Sequence, residues 1–179
     1  MKNYNKYIES TGETRLNCRG SFLNVFAPRD REGKNKYEAT ILIDKKDTDA
    51  VKLLNEAIER AKAQYTEKFG KPKSKLKTWV KDGDEERPDD ANYAGKLYFS
   101  AKSDNQPVLK VLENGTLMDA LDEDDIYSGA YYAAILRFYP YKTPDGTSGI
   151  SCGLNGLIKV EDGPRLGGGS SDAAYSDLA

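Results

Sequence analysis

The chain has 179 residues, 38% hydrophobic and 31% charged, which suits one globular domain with a buried core rather than a disordered polymer. Its net charge of −2 conceals a split: residues 1–81 hold 19 Lys+Arg against 11 Asp+Glu, and residues 82–179 hold 8 against 18. There is no histidine, so the commonest general base, nucleophile activator and zinc ligand are excluded together, and with them most hydrolase designs.

In chain order, MKNYNKYIES lacks the apolar stretch of a signal peptide. No run approaches the ~18 apolar residues of a membrane span, so the expectation is a cytoplasmic chain without membrane contact. TRLNCRGSFLNVFAP reads as a strand, with Leu16, Cys18, Phe22 and Val25 or Phe26 in irregular alternation and Gly20 marking a bulge. PRDREGKN, with Pro28 and Gly33, reads as a hairpin loop. KYEATILID resumes as a strand with Tyr37, Ala39, Ile41 and Ile43 on one face.

The period then lengthens. Val51, Leu54, Ile58, Ala61, Tyr65 and Phe69 step by three or four, the stripe of a helix that Asp47 or Thr48 can cap and that Gly70 and Pro72 stop. Further strands follow in GKLYFSAKS, PVLKVL, YSGAYYAAILRFYPY and GISCGLNGLIKV. In the last, Ile150, Cys152, Leu154, Ile158 and Val160 share one parity. The sum is a mainly β chain with one long helix, a small β-barrel rather than a parallel α/β sheet. The predicted domain covers residues 1–163, and residues 164–179 form a flexible, mildly acidic tail.

Catalytic patterns are weak. The acidic runs at Asp82–Asp90 and Asp122–Asp125 fit solvated loops; an EF-hand read from Asp82 fails at Arg87 and Tyr93. RLGGGSSD lacks the lysine and the helix of a phosphate loop. Cys18 and Cys152 lack metal-knuckle spacing and read as small hydrophobes. The expectation is therefore no enzyme, no cofactor and no metal.

Basic and aromatic residues form a stronger pattern. From Arg60 to Lys81 there are eight basic residues and one acid, Glu67. Lys71, Lys73, Lys75, Lys77 and Lys81 share odd parity with Trp79, so an extended backbone would put ammonium groups and the indole on one side. That arrangement can neutralise phosphates and stack on a base. The first hairpin adds Arg29, Arg31, Lys34 and Lys36 beside Tyr37. In YYAAILRFYPY, Tyr131, Arg137, Tyr139 and Tyr141 again share parity. The bland alternative is a charged surface loop and aromatics capping a barrel core.

Several segments carry a further resemblance. FLNVFAPR, KYEATILIDKKD, WVKDGD, YAGKLYFSAKS followed by QPVL, IYSGAYYAAILRFYPY and GISCGLNGLIKVEDGPRLGGG occur in this order over nearly the whole chain. Together they resemble a phage family first catalogued as a domain of unknown function and later recognised as single-stranded DNA-binding proteins. The resemblance implies an OB-fold-like antiparallel β-barrel that coats single-stranded DNA in the host cytoplasm during replication or recombination, without sequence preference. It also implies a C-terminal tail that contacts replication or recombination proteins, although here the tail holds only Asp172, Asp177 and the terminal carboxylate as acids.

The expected phosphate contacts are Arg29, Arg31, Lys34, Lys36, Lys73, Lys75, Lys77 and Arg137, with Trp79, Tyr37, Tyr139 and Tyr141 stacking on bases. A homo-oligomer is compatible with this reading. The rival expectations are a virion structural or protein-interaction module and a metal-dependent nuclease built on the acidic loops.

Overall fold

A computed structural model describes residues 1–166, the side chain of Arg31 excepted; the remainder of the expected tail lies outside the described residues. Strands β1 (Lys6–Ile8), β2 (Glu13–Arg31) and β3 (Lys34–Asp44) lead into helix α1 (Thr48–Phe69). A two-residue strand β4 (Lys81–Asp82) and a single helical turn α2 (Gly83–Glu86) precede β5 (Lys96–Ser103), β6 (Val108–Glu113), β7 (Thr116–Asp119), β8 (Tyr131–Lys142) and β9 (Ser148–Glu161).

Five of these strands close on themselves in the order β2-β3-β5-β9-β8 and back to β2. This is an OB-like barrel. Four of its pairings are antiparallel, as expected, but the closing one is parallel, joining Lys102 of β5 to Gly153 of β9. β6 extends the sheet parallel to β9, and β7 turns back along β6. The interior is filled by Leu16, Cys18, Val25, Ile41, Ile43, Phe99, Leu136, Leu154 and Leu157, all below 7% exposed. Each of the larger aliphatic side chains contributes about 1.5–3 kcal/mol by burial.

α1 covers the barrel with Ala50, Leu54, Ala57, Ile58, Ala61 and Tyr65; of the predicted stripe, Val51 and Phe69 are only partly buried, and Ala50 and Ala57 join it. The Asp47 carboxylate accepts from the Ala50 N–H, and Gly70, at φ +82°, ends the helix. Both caps stand where the sequence puts them. The hairpin between β2 and β3 is tighter than expected: Glu32 (φ +54°) and Gly33 (φ +77°) alone make the turn, the left-handed pair of a two-residue loop.

Two alternations depart from the sequence pattern for one reason, a bulge. In β9, Gly156 pairs with Ile135 and Leu154 with Leu136, so Asn155 is the extra residue and parity flips there. Leu157 is then fully buried, and Ile158 and Val160, expected inside, are only partly covered. In β2 the register slips between Ser21 and Asn24, which turns Phe22 outward. Gly20 sits beside this slip because a Cβ there would come 2.8 Å from the ring of Tyr132.

The two cysteines are free and buried. Burial pushes the Cys18 thiol up to about 12, and raises Cys152 well above its ordinary value. Because the thiolate is the nucleophile, iodoacetamide at pH 8 is expected to leave both unmodified in the native chain and to alkylate both in urea, as read by mass spectrometry. Beyond β9, the Arg19 guanidinium donates to Pro164 O and the Leu166 N–H to Ser128 O, which holds residues 164–166 on the barrel. Among the described residues, no helix is long and apolar enough to cross a membrane.

Candidate nucleic-acid interface

The lysine-rich segment is not the extended ladder that its parity suggests. The backbone bends at Lys71, Lys73 and Ser74; Lys77 forms an isolated β-bridge, parallel to Gly149, and Lys81 pairs with Tyr98 in β4. Leu76 fixes the segment by packing with Ala61, Tyr65 and Ile150. The Lys77 carbonyl then accepts from the Ile150 N–H at 2.7 Å.

Two residues later Trp79 adopts φ +60°, and its indole, 51% exposed, donates through Nε1 to the Tyr141 hydroxyl at 2.8 Å. The Lys77 ammonium lies 5.2 Å from the indole centroid. This cluster depends on Gly149, where a Cβ would fall 2.5 Å from Lys77 O and 2.8 Å from the Tyr141 hydroxyl. Gly149→Ala is therefore expected to shift the tryptophan emission and to lower stability by about 1–3 kcal/mol, an overpacking cost, measured by fluorescence and urea unfolding.

Trp79 and Tyr141 form one end of a groove of about 550 Å³ that runs over β5 and the start of β9. Phe22, 55% exposed at φ +48°, faces the same space, with Lys81, Arg87 and Lys102 around it. The Arg87 guanidinium stands 4.5 Å from the ring centroid of Tyr93 and 5.7 Å from that of Tyr98. Among the described residues, no carboxylate pairs with Lys77, Lys81, Arg87 or Lys102. The groove thus offers flat aromatic faces among uncompensated cations, which suits phosphates and unstacked bases.

Of the residues expected from sequence, Trp79 and Tyr141 line the groove and Lys77 borders it. Lys73 and Lys75 are exposed and unpaired on the approach. Among the described residues, no cation of the first hairpin lines the groove, and two are compensated: Arg29 meets Glu38 at 3.4 Å, and Lys36 pairs with Asp104. Lys34 is exposed near the hairpin turn, Tyr37 is half-buried beside Ser103, and Arg31 is placed only by its backbone pairing with Lys34. Arg137 and Tyr139 line a separate hollow against α1. Tyr131 sits at the far end of β8, its ring 5.5 Å from the Arg19 guanidinium.

Phe22, Lys102 and Arg87 also line the groove without standing out in the sequence: Phe22 falls in a strand's apolar alternation, and Arg87 is hidden inside an acidic run.

That acidic run is structural at its start. The Lys45 ammonium donates to Asp82 at 2.7 Å and to Asp84 at 2.8 Å, and these bonds hold both carboxyls below their ordinary pKa. Gly83 is required because a Cβ would sit 2.1 Å from Tyr93 O. Asp82 and Asp84 thus converge on a lysine. Among the described residues, no group of three potential ligands gathers as a metal site.

The profile of a family described as "Enterobacter phage Enc34, ssDNA-binding protein" matches residues 11–178. The chain belongs to that family. The solved single-stranded DNA-binding protein of bacteriophage Enc34, in complex with ssDNA, is 25% identical with a TM-score of 0.75 over 88% of this chain and 90% of its own. A second structure of that phage protein gives 25% identity and a TM-score of 0.73 over 92% and 90%. The single-stranded DNA-binding protein gp2.5 of bacteriophage T7 is 15% identical with a TM-score of 0.61 over 85% and 93%, a likeness of fold alone. Among curated proteins, none matches significantly. The barrel resembles the one that the Enc34 family's solved member adopts.

Proposed function

We propose that the chain binds single-stranded DNA without sequence preference, and that it does so in the groove between Phe22 and the Trp79–Tyr141 pair. The observation that carries this reading is the meeting of exposed aromatic rings with unpaired lysines and arginines in one groove. Membership of the Enc34 family, whose solved member is described in complex with ssDNA, supports it. Every base has a π-face, so stacking tolerates any sequence, while phosphate contacts supply affinity. Bound in this way, the protein protects exposed strands in phage replication or recombination in the host cytoplasm, by binding and not by catalysis.

A titration of the intrinsic fluorescence with oligonucleotides tests the reading. Oligo-dT and a mixed-sequence strand are expected to quench Trp79 with similar affinity, and the matching duplex to bind more weakly. No response to either single strand at low salt would refute it, and would favour docking of protein on the barrel instead.

A further inference from the structure

We infer that the hollow between α1, β1 and β8 is a separate phosphate subsite, in which Arg60 and Arg137 hold one backbone phosphate of the strand that leaves the aromatic groove. The inference rests on the single-strand reading given above.

The hollow measures about 80 Å³, much smaller than the groove of about 550 Å³. The Arg60 guanidinium lies 3.6 Å from the ring centroid of Tyr7, and its Nη2 is enclosed by protein without any hydrogen-bond partner. A buried guanidinium donor without an acceptor is a costly arrangement that native structures rarely keep. Arg137 enters the same hollow from β8. Its Nη2 donates to Thr11 O, and its Nη1 points past Gly12, where even an added Cβ would stay 3.6 Å away.

The acid that faces Arg137, Glu13, is held by another partner. Glu13 accepts from the Asn155 amide at 2.7 Å, and that bond is the main reason its carboxyl lies below the ordinary value, with Arg137 a lesser cause. Two guanidinium groups therefore share one small space without a bound carboxylate. An anion seated between them would accept from the guanidinium edges that line the hollow and offset their positive charge.

The position of the hollow identifies the anion. Arg137, Tyr139 and Tyr141 are alternate residues of β8, so the hollow and the groove lie on one strand face about 13 Å apart. Tyr139, 42% exposed, stands between them. A strand stacked on Trp79 and continuing past Tyr139 brings a phosphate to Arg60 and Arg137.

The test compares wild type, Arg60→Gln and Arg137→Gln by titration with oligo-dT of increasing length over a range of salt. Each variant is expected to bind trinucleotides as the wild type does. With longer strands each should lose about 0.7 from the slope of log K against log salt, about fivefold in affinity at 0.1 M. Arg60→Lys, which keeps the charge, should restore most of the slope. Wild-type slopes in both glutamine variants at every length would overturn the subsite and leave the groove standing. If Arg60→Gln fails to fold, Arg137→Gln, on an exposed side chain, decides alone. Wild type that binds no oligo-dT would overturn both readings.

Discussion

Replacing Trp79 by alanine is expected to lower the affinity for oligo-dT by about 1–3 kcal/mol, roughly 5- to 150-fold, the contribution of one stacked base. The effect is expected to be large because the ring is prepared for stacking. The bond from Nε1 to Tyr141 at 2.8 Å fixes the indole, and half of its surface remains open. Little rotamer freedom is then left to lose on binding. Trp79→Phe should keep most of the affinity, and Tyr141→Phe, which frees the indole without removing it, should fall between. Fluorescence anisotropy of a labelled oligo-dT reads all three without the tryptophan. Wild-type affinity in Trp79→Ala would show that the strand does not run through this groove.

The second large effect is electrostatic. Substituting Lys81, Arg87 and Lys102 together by glutamine is expected to reduce the salt slope by about 2 and the affinity at 0.1 M salt by about 100-fold, from ~0.7 per phosphate contact on a single strand. Arg29→Gln with Lys36→Gln should do much less, because Glu38 and Asp104 already compensate these cations. Binding there would have to break an existing pair for each phosphate gained. Equal losses in the two variants would return the hairpin to the binding surface. Arg87 also stacks on Tyr93 and Tyr98, so the triple variant is compared with wild type at matched thermal stability.

Much of this molecule was legible because its signals are local. The helix declares itself through a stripe of period 3.6, with Asp47 and Gly70 at its ends. The principal strands show as alternating apolar runs. The parallel closure of β5 on β9 was not legible, since their paired residues, Lys102 and Gly153, are far apart in sequence and no turn joins them. β7 escaped notice because its four exposed residues bury no face of their own.

The site divides in the same way. Trp79 and Tyr141 stood out by composition and parity, but a bulge has no periodic signature, so Phe22 was read as core. Whether a cation is free or paired is also invisible in one dimension. Lys36 and its partner Asp104 lie on segments that only the barrel brings together.

The closing strand has a consequence for the order of assembly. β9 pairs with β5, β6 and β8, and its residues Ile150 to Cys152 make one wall of the groove. Local pieces, the β2–β3 hairpin and α1, can form as they emerge from the ribosome, but β5 and β8 keep open edges until β9 arrives. The Lys77 bridge, two residues before Trp79, also waits for Gly149 and Ile150. A nascent chain therefore has its basic residues long before it has the groove that the proposed binding requires.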